Sequence, residues 1–287
     1  MRIAVIGTGV LGSAIAERFQ SNGHEVMVYN RTPQRAIPLQ NHGLIVAEQP
    51  GQAIRTADVT LLTLSDYPAI QSVLLSIETV PALSGSTVIQ LGTIGPDESI
   101  QLSQTLFQLG SDYFEAPVLG SVTEASHGSL LVMVGATVEQ YSRWSQTLHI
   151  LGSELHHIGP VGTAAIMKLA LNQLIAAETA AFGFSLGLIR RTGVSPSTFM
   201  ALLRKSALFA PTFDKKLPRL LDRDYSRPNF SARHLLKDVD LVLRTAEKSE
   251  LNTVGLEGVR RLLENALERG LADYDYSCLY EAIDPPG

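Results

Sequence analysis

The stretch that decides the fold is RIAVIGTGVLGSAIAERF, residues 2–19. It opens with RIAVIG, a short run of mostly branched apolar side chains, which predicts a buried strand. Residues 11–23 then follow a helical pattern that ends at Gly23, and glycine commonly terminates helices. Glycines crowd the turn between the two patterns. A buried strand that enters a helix through such a turn predicts the start of a β-α-β unit.

The glycines of this turn have the spacing G-x-G-x-x-G. In dinucleotide-binding turns the first glycine allows the tight turn, the second lets the backbone approach a pyrophosphate, and the third lets helix and strand pack closely. The N–H groups at the start of the helix attract the phosphates. A purely structural turn is the alternative, but the position between strand and helix favours a dinucleotide. The predicted contact residues are Gly7, Thr8, Gly9, Val10, Leu11 and Gly12.

The end of the second predicted strand, EVMVYN at residues 25–30, indicates which dinucleotide is bound. Sites that prefer NAD usually carry Asp or Glu there, which bonds the ribose 2′-hydroxyl. This chain instead has Asn30, Arg31 and Thr32. A guanidinium pairs well with a 2′-phosphate, and the neighbouring amide and hydroxyl can hydrogen-bond it. We therefore expect NADPH, with an ordinary surface charge as the alternative role for Arg31.

The order of strand and helix patterns predicts an α/β fold with a Rossmann-type doubly wound sheet, followed by an all-α domain. Further strand-like runs alternate with helical patterns at 58–64, 86–92, 113–120 and 129–135. Beyond about residue 160 only helical patterns remain, at about 162–190, 196–205, 231–248 and 254–269. We expect an NADP-binding domain over 1–160 and a helical substrate and oligomerisation domain over 161–287. The charged stretch 214–227 is interpreted as a solvated face or loop.

Composition limits the class of protein. The 287 residues carry a formal net charge of −5, which gives no general attraction for nucleic acid or anionic lipid. Cys278 is the only cysteine, so an intramolecular disulfide is excluded. Glycines interrupt the apolar N-terminus, and no uninterrupted apolar stretch reaches the ~20 residues that span a bilayer. We expect a cytoplasmic protein without a metal, nucleic-acid or membrane partner.

Lys168 is the only Lys or Arg between Arg143 and Arg190, and it lies in an apolar run that predicts a buried helix. Burying an ammonium group is costly unless the group is paired, neutralised or used in chemistry. Asn172 lies four residues later, on the same helix face. Burial can lower a lysine pKa, and such a lysine can donate a proton to a carbonyl that receives a hydride. The alternative is a lysine whose charged end reaches solvent while its stem packs.

Several short stretches occur in a characteristic order along nearly the whole chain. They are VIGTGVLGSAIA (5–16), LGTIGPDES (91–99), EAPVLGS (115–121), GPVGTAAIMKLALN (159–172), HLLKDVDLVLRTAEK (234–248) and DYDYS (273–277). In this order they resemble the motifs of the β-hydroxyacid dehydrogenase family. That family includes 3-hydroxyisobutyrate dehydrogenase, tartronate semialdehyde reductase and the glyoxylate/succinic semialdehyde reductases.

The resemblance implies roles for residues outside the glycine-rich turn. It identifies Lys168 as the catalytic lysine and Asn172 as its asparagine, and both would also contact the substrate. Lys237 corresponds to a cofactor-binding lysine, with Asp238 beside it in a structural role. The residues expected on the nicotinamide side are Leu64, Ser65 and Thr93.

The same resemblance places the substrate loop at Leu119, Gly120 and Ser121, and here the chain departs from the family. The family commonly has a serine at the position of Leu119, and Gly92 replaces another serine just before Thr93. Ser121 and the backbone N–H groups of the loop remain as candidates to bind a substrate carboxylate.

The resemblance implies an NADPH-dependent reduction of a small carboxylated aldehyde, of the glyoxylate or succinic semialdehyde type, to the hydroxyacid. Alternatives on the same fold are an NAD(P)-dependent 3-hydroxyisobutyrate-type dehydrogenase, a phosphogluconate dehydrogenase, an imine reductase and a non-catalytic NADPH-binding module. The chain is short for a phosphogluconate dehydrogenase. The presence of Lys168 argues against an imine reductase and against a non-catalytic module. Because family members commonly associate through their helical domains, we expect a homodimer or homotetramer.

Overall fold

The computed structural model describes residues 1–286. The chain divides into two compact units, Met1–Lys168 and Leu169–Gly287. The predicted domain boundary, after residue 160, lies just before the long helix Thr163–Arg191. The division between the two compact units falls inside that helix, directly after Lys168.

The first unit alternates strands and helices, as predicted. Its strands are β1 (Arg2–Ile6), β2 (Glu25–Tyr29), β3 (Ile45–Val46), β4 (Val59–Leu62), β5 (Thr87–Gln90), β6 (Asp112–Glu115), β7 (Val118–Leu119), β8 (Leu131–Gly135) and β9 (Glu154–Gly159). Its helices are α1 (Val10–Ser21), α2 (Pro50–Thr56), α3 (Tyr67–Leu74), α4 (Pro96–Gln108), α5 (Val122–His127), α6 (Val138–Leu148) and the start of α7 (Thr163–Arg191).

The strands form one sheet in the order β3-β2-β1-β4-β5-β6-β8-β7, with β9 paired to β8. The first six strands are parallel to their neighbours, and β8 is antiparallel to β6 and β7. Because β2 and β4 pair with opposite sides of β1, the strand order reverses there, and ligands of such sheets bind at the carboxyl ends of the strands beside that point. The glycine-rich turn directly follows β1.

Alternate side chains of β1 enter two different hydrophobic cores. Ile3 and Val5 pack in the cluster that contains Ile15 and Phe19 of α1. Ala4 and Ile6 pack in a second cluster with side chains of α2, α3 and α4. Both sheet faces are therefore covered by helices, which is why the buried strands are continuously apolar rather than alternating. The predicted fold class is confirmed.

Three strand assignments in the first unit differ from the sequence prediction. Strand β3 was not predicted, because two residues are too few to show a strand pattern. The run 113–120 was expected to be one strand, but it is interrupted between β6 and β7 at Ala116 and Pro117. Pro117 has no N–H to donate to a ladder, so only its carbonyl bonds to β8, accepting from the Met133 N–H at 3.0 Å. Strand β9 was not predicted, because His156 and His157 give it an exposed, polar composition.

Within the described residues, the elements of the second unit are helices joined by loops. Besides the remainder of α7, it contains α8 (Pro196–Leu203), α9 (Pro211–Asp222), α10 (Ala232–Lys248), α11 (Val254–Glu268) and α12 (Tyr280–Ile283). The interpretation of 214–227 as a solvated face or loop holds for the charged face, but residues 214–222 are not a loop, because α9 extends to Asp222. Phe213 and Leu220 are buried and lie in the first and third turns of α9. The other face of this amphipathic helix is charged.

A buried ion pair secures the C-terminal DYDYS stretch within the second unit. Lys216 Nζ of α9 lies 2.7 and 2.9 Å from the two carboxylate oxygens of Asp275. Asp275 is fully buried and also accepts hydrogen bonds from the N–H and hydroxyl of Ser277. Both carboxylate oxygens therefore have hydrogen-bond partners, as a buried carboxylate requires.

Helix α7 is long and apolar, and only one of its faces packs in the hydrophobic core. Phe182 and Leu186 pack in a buried cluster of the second unit, whereas Leu174, Phe184 and Leu188 are exposed. By length and composition alone α7 could also cross a membrane, but 44% of its most apolar 18-residue window is buried inside the protein.

The start of α7 is tied to the sheet by the carboxylate of Glu115, the last residue of β6. Glu115 Oε1 accepts hydrogen bonds from the backbone N–H groups of Gly162, Ala164 and Ala165, at 2.8, 2.9 and 3.0 Å. Its other oxygen accepts a hydrogen bond from the hydroxyl of Ser99. These N–H groups have no partner within the helix, and a negative charge there is also favoured by the helix dipole. Lys168 lies one turn further along α7.

The Glu115 cap predicts a specific pH dependence of stability. Burial raises the pKa of the Glu115 carboxyl in the folded protein. The native state therefore binds a proton more readily than the unfolded chain, so this group stabilises the fold more as the pH falls from 7 toward the ordinary Glu pKa of about 4.3. Glu115→Gln keeps the acceptor oxygen but cannot titrate.

We expect the free energy of unfolding of the wild type, relative to that of Glu115→Gln, to increase as the pH is lowered through this interval. Urea unfolding of both proteins at a series of pH values measures the difference. A difference that is constant with pH, or that shrinks on acidification, would contradict the assignment.

Candidate active site

Two of the three turn glycines are required by packing within the protein. Gly7 has φ +108°, and a Cβ there would lie 2.9 Å from the carbonyl oxygen of Thr63. A Cβ on Gly12 would overlap the carbonyl oxygen of Gly7. These contacts bring α1 close to β1 and β4, as predicted for the first and third glycines.

Gly9 has a different environment, which fits a ligand rather than protein packing. A Cβ built on Gly9 would meet no atom of the described residues within 4 Å. Beside it, Thr8 is 3% exposed, and its hydroxyl has no hydrogen-bond partner among residues 1–286. Gly9 also caps α1 without a side-chain hydrogen bond, so the first N–H groups of the helix remain available. An open backbone, an unpaired buried hydroxyl and free helical N–H groups suit a pyrophosphate.

At the end of β2, the Asn30 side chain makes hydrogen bonds within the protein. Its Oδ1 accepts a hydrogen bond from the Thr8 N–H at 3.0 Å, and its Nδ2 donates to the Thr32 carbonyl at 2.9 Å. Asn30 therefore holds the glycine-rich turn against the following loop. Arg31 is exposed and makes no hydrogen bond or ion pair within the described chain, so its guanidinium is available. Direct contacts of Asn30 and Thr32 with a 2′-phosphate stay predictions.

The residues expected on the nicotinamide side follow the carboxyl ends of β4 and β5. Leu64 and Ser65 come directly after β4, and the Ser65 hydroxyl donates to Asp66 at 3.0 Å. Gly92 follows β5, and a Cβ there would lie 2.6 Å from the Leu64 carbonyl oxygen. This close approach explains the glycine where the family pattern has serine, because a side chain would push the two strand ends apart. The roles of Leu64, Ser65 and Thr93 toward a nicotinamide stay predictions.

Lys168 and Asn172 occupy one buried face of α7. Lys168 is 8% exposed and Asn172 is 3% exposed, so the prediction of a buried lysine is confirmed. The Asn172 Nδ2 donates a hydrogen bond of 2.6 Å to Asp238 Oδ2 of α10. Its Oδ1 is buried and has no hydrogen-bond partner in the described part of the chain. The amide is thus held with its acceptor oxygen free, which suits the binding of a hydroxyl group.

Asp238 connects two residues that the sequence analysis treated separately. Its Oδ2 holds Asn172, and its Oδ1 lies 2.8 Å from Lys237 Nζ as an ion pair without hydrogen-bond geometry. One buried carboxylate therefore joins the predicted catalytic asparagine to the predicted cofactor lysine. The sequence analysis gave Asp238 only a structural role. The sequence signal for this contact was the position of Asp238 directly after Lys237 on a predicted helix.

The predicted substrate loop is already hydrogen-bonded to a residue that the sequence analysis did not consider. The Ser121 N–H donates to Glu124 Oε2 at 2.7 Å, and the Ser121 hydroxyl donates to the same oxygen. Leu119 is half-buried, and Gly120 has φ +139°. The Ser-x-x-Glu spacing at 121–124, a helix-capping pattern, was the signal that could have revealed this contact.

Comparison with known proteins agrees with this arrangement of elements. Residues 2–159 match the model for the NAD binding domain of 6-phosphogluconate dehydrogenase. Residues 162–283 match the model described as NAD-binding of NADP-dependent 3-hydroxyisobutyrate dehydrogenase. Glyoxylate/succinic semialdehyde reductase 1 of Arabidopsis thaliana is 28% identical over 285 residues, which cover 99% of this chain and 98% of the relative.

Solved structures share the fold over almost the whole chain. A 3-hydroxyisobutyrate dehydrogenase from Salmonella typhimurium superposes with a TM-score of 0.89 at 20% identity, covering 98% of this chain and 99% of that one. Psf3, in complex with NADP+ and 2-OPP, has a TM-score of 0.89 at 21% identity with the same coverage. With a family model matched over more than half its length, this chain belongs to the β-hydroxyacid dehydrogenase family of NAD(P)-dependent oxidoreductases.

Proposed function

We propose that the protein reduces a small carboxylated aldehyde, of the glyoxylate or succinic semialdehyde type, to the hydroxyacid with NADPH. The observation that carries the proposal is a pair of residues on α7. Lys168 is buried, and one turn away the buried amide oxygen of Asn172 has no hydrogen-bond partner among the described residues. The 28% identity to the Arabidopsis reductase supports the substrate class.

In the proposed reaction the reduced nicotinamide supplies a hydride to the carbonyl carbon. Lys168 Nζ donates a proton to the carbonyl oxygen and becomes a neutral amine. The C=O double bond thereby becomes a C–O single bond, with new C–H and O–H bonds. The charge of the ammonium also stabilises the oxyanion that develops before proton transfer. Asn172 Oδ1 accepts a hydrogen bond from the hydroxyl that forms, because Asp238 keeps that oxygen turned away from its own carboxylate.

The choice of NADPH over NADH rests on the end of β2. Arg31 is exposed, carries a guanidinium without a partner in the described chain, and follows β2 directly. No carboxylate stands at Asn30, Arg31 or Thr32 to bond a ribose 2′-hydroxyl or to repel a 2′-phosphate.

Lys168→Ala is expected to lower kcat about 10²–10⁴-fold, the usual scale for a general acid. NADPH binding should be nearly unchanged, because the lysine acts on the substrate oxygen. Loss of reduced-nicotinamide absorbance gives the rate, and cofactor fluorescence gives the binding. Lys205→Ala, which removes an exposed lysine after α8, is the matched control. Normal turnover of Lys168→Ala would end this mechanism.

Arg31→Ala is expected to raise the KM for NADPH about 10–100-fold, since a hydrogen bond to a charged group contributes about 1.5–3 kcal/mol. The KM for NADH should stay the same, because NADH lacks the 2′-phosphate. Steady-state kinetics with both cofactors tests this, and NADH serves as the internal control. An equal rise in the KM values for NADPH and NADH would show that Arg31 does not bind the 2′-phosphate.

We further propose that a second copy of the chain covers the exposed apolar stripe of α7. Met167, Leu174, Phe184 and Leu188 are 40%, 50%, 64% and 56% exposed and lie on one helical face. A stripe without charge on a long helix is suited to self-association, and most soluble oligomers are two-fold homodimers.

Phe184→Asp is expected to shift the protein from dimer or tetramer to monomer, because it places a carboxylate in the centre of that contact. Sedimentation velocity measures the change. Phe107→Asp is the control, since Phe107 of α4 is 80% exposed but lies outside the stripe. A wild type that sediments as a monomer would contradict the self-association.

A further inference from the structure

An uncharged groove opens on the surface of the second unit beside α7. Its volume is about 490 Å³, and its walls are α7, the end of α10, and the start of α11 with the loop before it. All the side chains that line it are apolar or neutral, among them Gln173 and Ala177 of α7, Leu251 of the loop, and Leu256 of α11. An apolar group can therefore fill the groove without removing a charge from water.

Gly255 leaves one wall of this groove without a side chain. It is exposed in the first turn of α11, and a Cβ built there would meet no atom of the described residues within 4 Å. Glycine is less favourable than alanine in a helix, because it loses more conformational freedom on folding. Packing within the described chain does not require a glycine at this position, whereas the close approach of another molecule does.

A large exposed apolar side chain lies further along the same edge of α7. Phe184 is 64% exposed. It follows Ala177 by seven residues and Gln173 by eleven, which is close to two and three whole turns at about 3.6 residues per turn. The three residues therefore share one edge of the helix. At about 1.5 Å per residue, Phe184 lies roughly 10–17 Å along the helix from the other two, too far to fill the groove of its own chain.

A two-fold axis can bring the ring of one copy to the groove of another. In a homodimer whose α7 helices pack antiparallel, the same edges of the two helices face each other, and residues equally far before and after the axis are opposite. With the axis level with residues 179–180, Phe184 of each copy faces Gln173 and Ala177 of the other. Ala177 and Ala181 lie close to that axis on the outward face of α7, and their small side chains allow the helices to pack closely.

The apolar surface available is comparable to that of a stable interface. The large apolar side chains exposed on this face of α7 and at the groove are 40–65% exposed; they are Ile166, Met167, Leu174, Phe184, Leu188 and Leu251. Each presents on the order of 100 Å², so together they supply most of the ~800 Å² that each partner buries in a standard specific interface.

We propose that Phe184 of one copy docks in the groove of a second copy, beside Gly255, and that the reciprocal contact forms at the same time. The proposal rests on the self-association proposed above, and it adds the ring and the groove that set the register of the two α7 helices. Aromatic anchors that fill pockets carry much of the binding energy of protein interfaces, and two-fold symmetry provides this anchor twice.

Gly255→Trp tests the groove without changing α7. The indole occupies the groove, and the fold accommodates it because a Cβ at this position is free of contacts within the described chain. We expect the dissociation constant for two copies, measured by sedimentation velocity over a dilution series, to rise about 100-fold or more, because the contact is lost twice. Gly255→Leu, a smaller substitution that favours the helix, should raise the dissociation constant in the same direction.

Gly258→Trp is the matched control. Gly258 is also exposed on α11, and a Cβ there would meet no described atom within 4 Å, but it does not line the groove. This variant should keep the wild-type dissociation constant. Far-UV circular dichroism verifies that each variant retains its helices.

A double variant identifies Phe184 as the group that fills the groove. Phe184→Ala removes the ring and leaves space for the indole of Gly255→Trp in the second copy. The double variant should therefore associate about ten-fold more tightly than Gly255→Trp alone, since substitutions at contacting residues are not additive.

The outcomes separate the docking from the self-association on which it rests. A wild type that associates, with a dissociation constant that Gly255→Trp leaves unchanged, overturns the docking alone. Equal weakening by Gly258→Trp, or a double variant no tighter than Gly255→Trp, also overturns it. A monomeric wild type contradicts the self-association and the docking together. The reductase assignment is tested separately, by NADPH oxidation with the aldehydes.

Discussion

The bond on which this structure depends most is the one between the Glu115 carboxylate and the first turn of α7. It joins the end of a central strand to the helix that carries Lys168 and Asn172, through three backbone N–H groups and one oxygen. Backbone donors have no rotamers, so the position of the helix start is fixed more firmly than a side-chain contact alone would allow. Lys168 lies one turn later, so its position is fixed together with the helix start. This matters because a general acid is effective only when its proton lies within reach of the reacting atom.

A second constraint acts on Asn172 from within the helical unit. An amide side chain can be turned by half a rotation at little cost, and the choice decides whether it offers a donor or an acceptor. Asp238, itself paired with Lys237, accepts only, so it binds the amide nitrogen and leaves the oxygen free. The polar network thus selects the orientation that a hydroxyl product requires. The glycine-rich turn has a similar arrangement: Asn30 accepts a hydrogen bond from the Thr8 N–H, while the Thr8 hydroxyl has no hydrogen-bond partner among residues 1–286.

Local patterns of the sequence predict much of the fold. The run of β1, the glycine spacing and the long apolar helix are visible because burial and turn geometry restrict the residue types at those positions. The helix α9 was missed although Phe213 and Leu220 lie on one face, since charges and a proline dominate the stretch. The hydrogen bonds of Glu115 and Glu124 are a different case. Whether an acid in a loop faces solvent, a substrate or a helix end depends on contacts that the order of residues alone does not give.

The central claim is that this protein transfers a hydride from a nicotinamide to a carbonyl carbon. The most direct test is to supply NADPH labelled with deuterium at the transferable position, together with glyoxylate or succinic semialdehyde, and to analyse the alcohol by mass spectrometry. The account predicts one deuterium on the former carbonyl carbon for each cofactor oxidised. Cofactor that binds without any labelled alcohol being formed would contradict it, and would identify the protein as a nicotinamide-binding module instead.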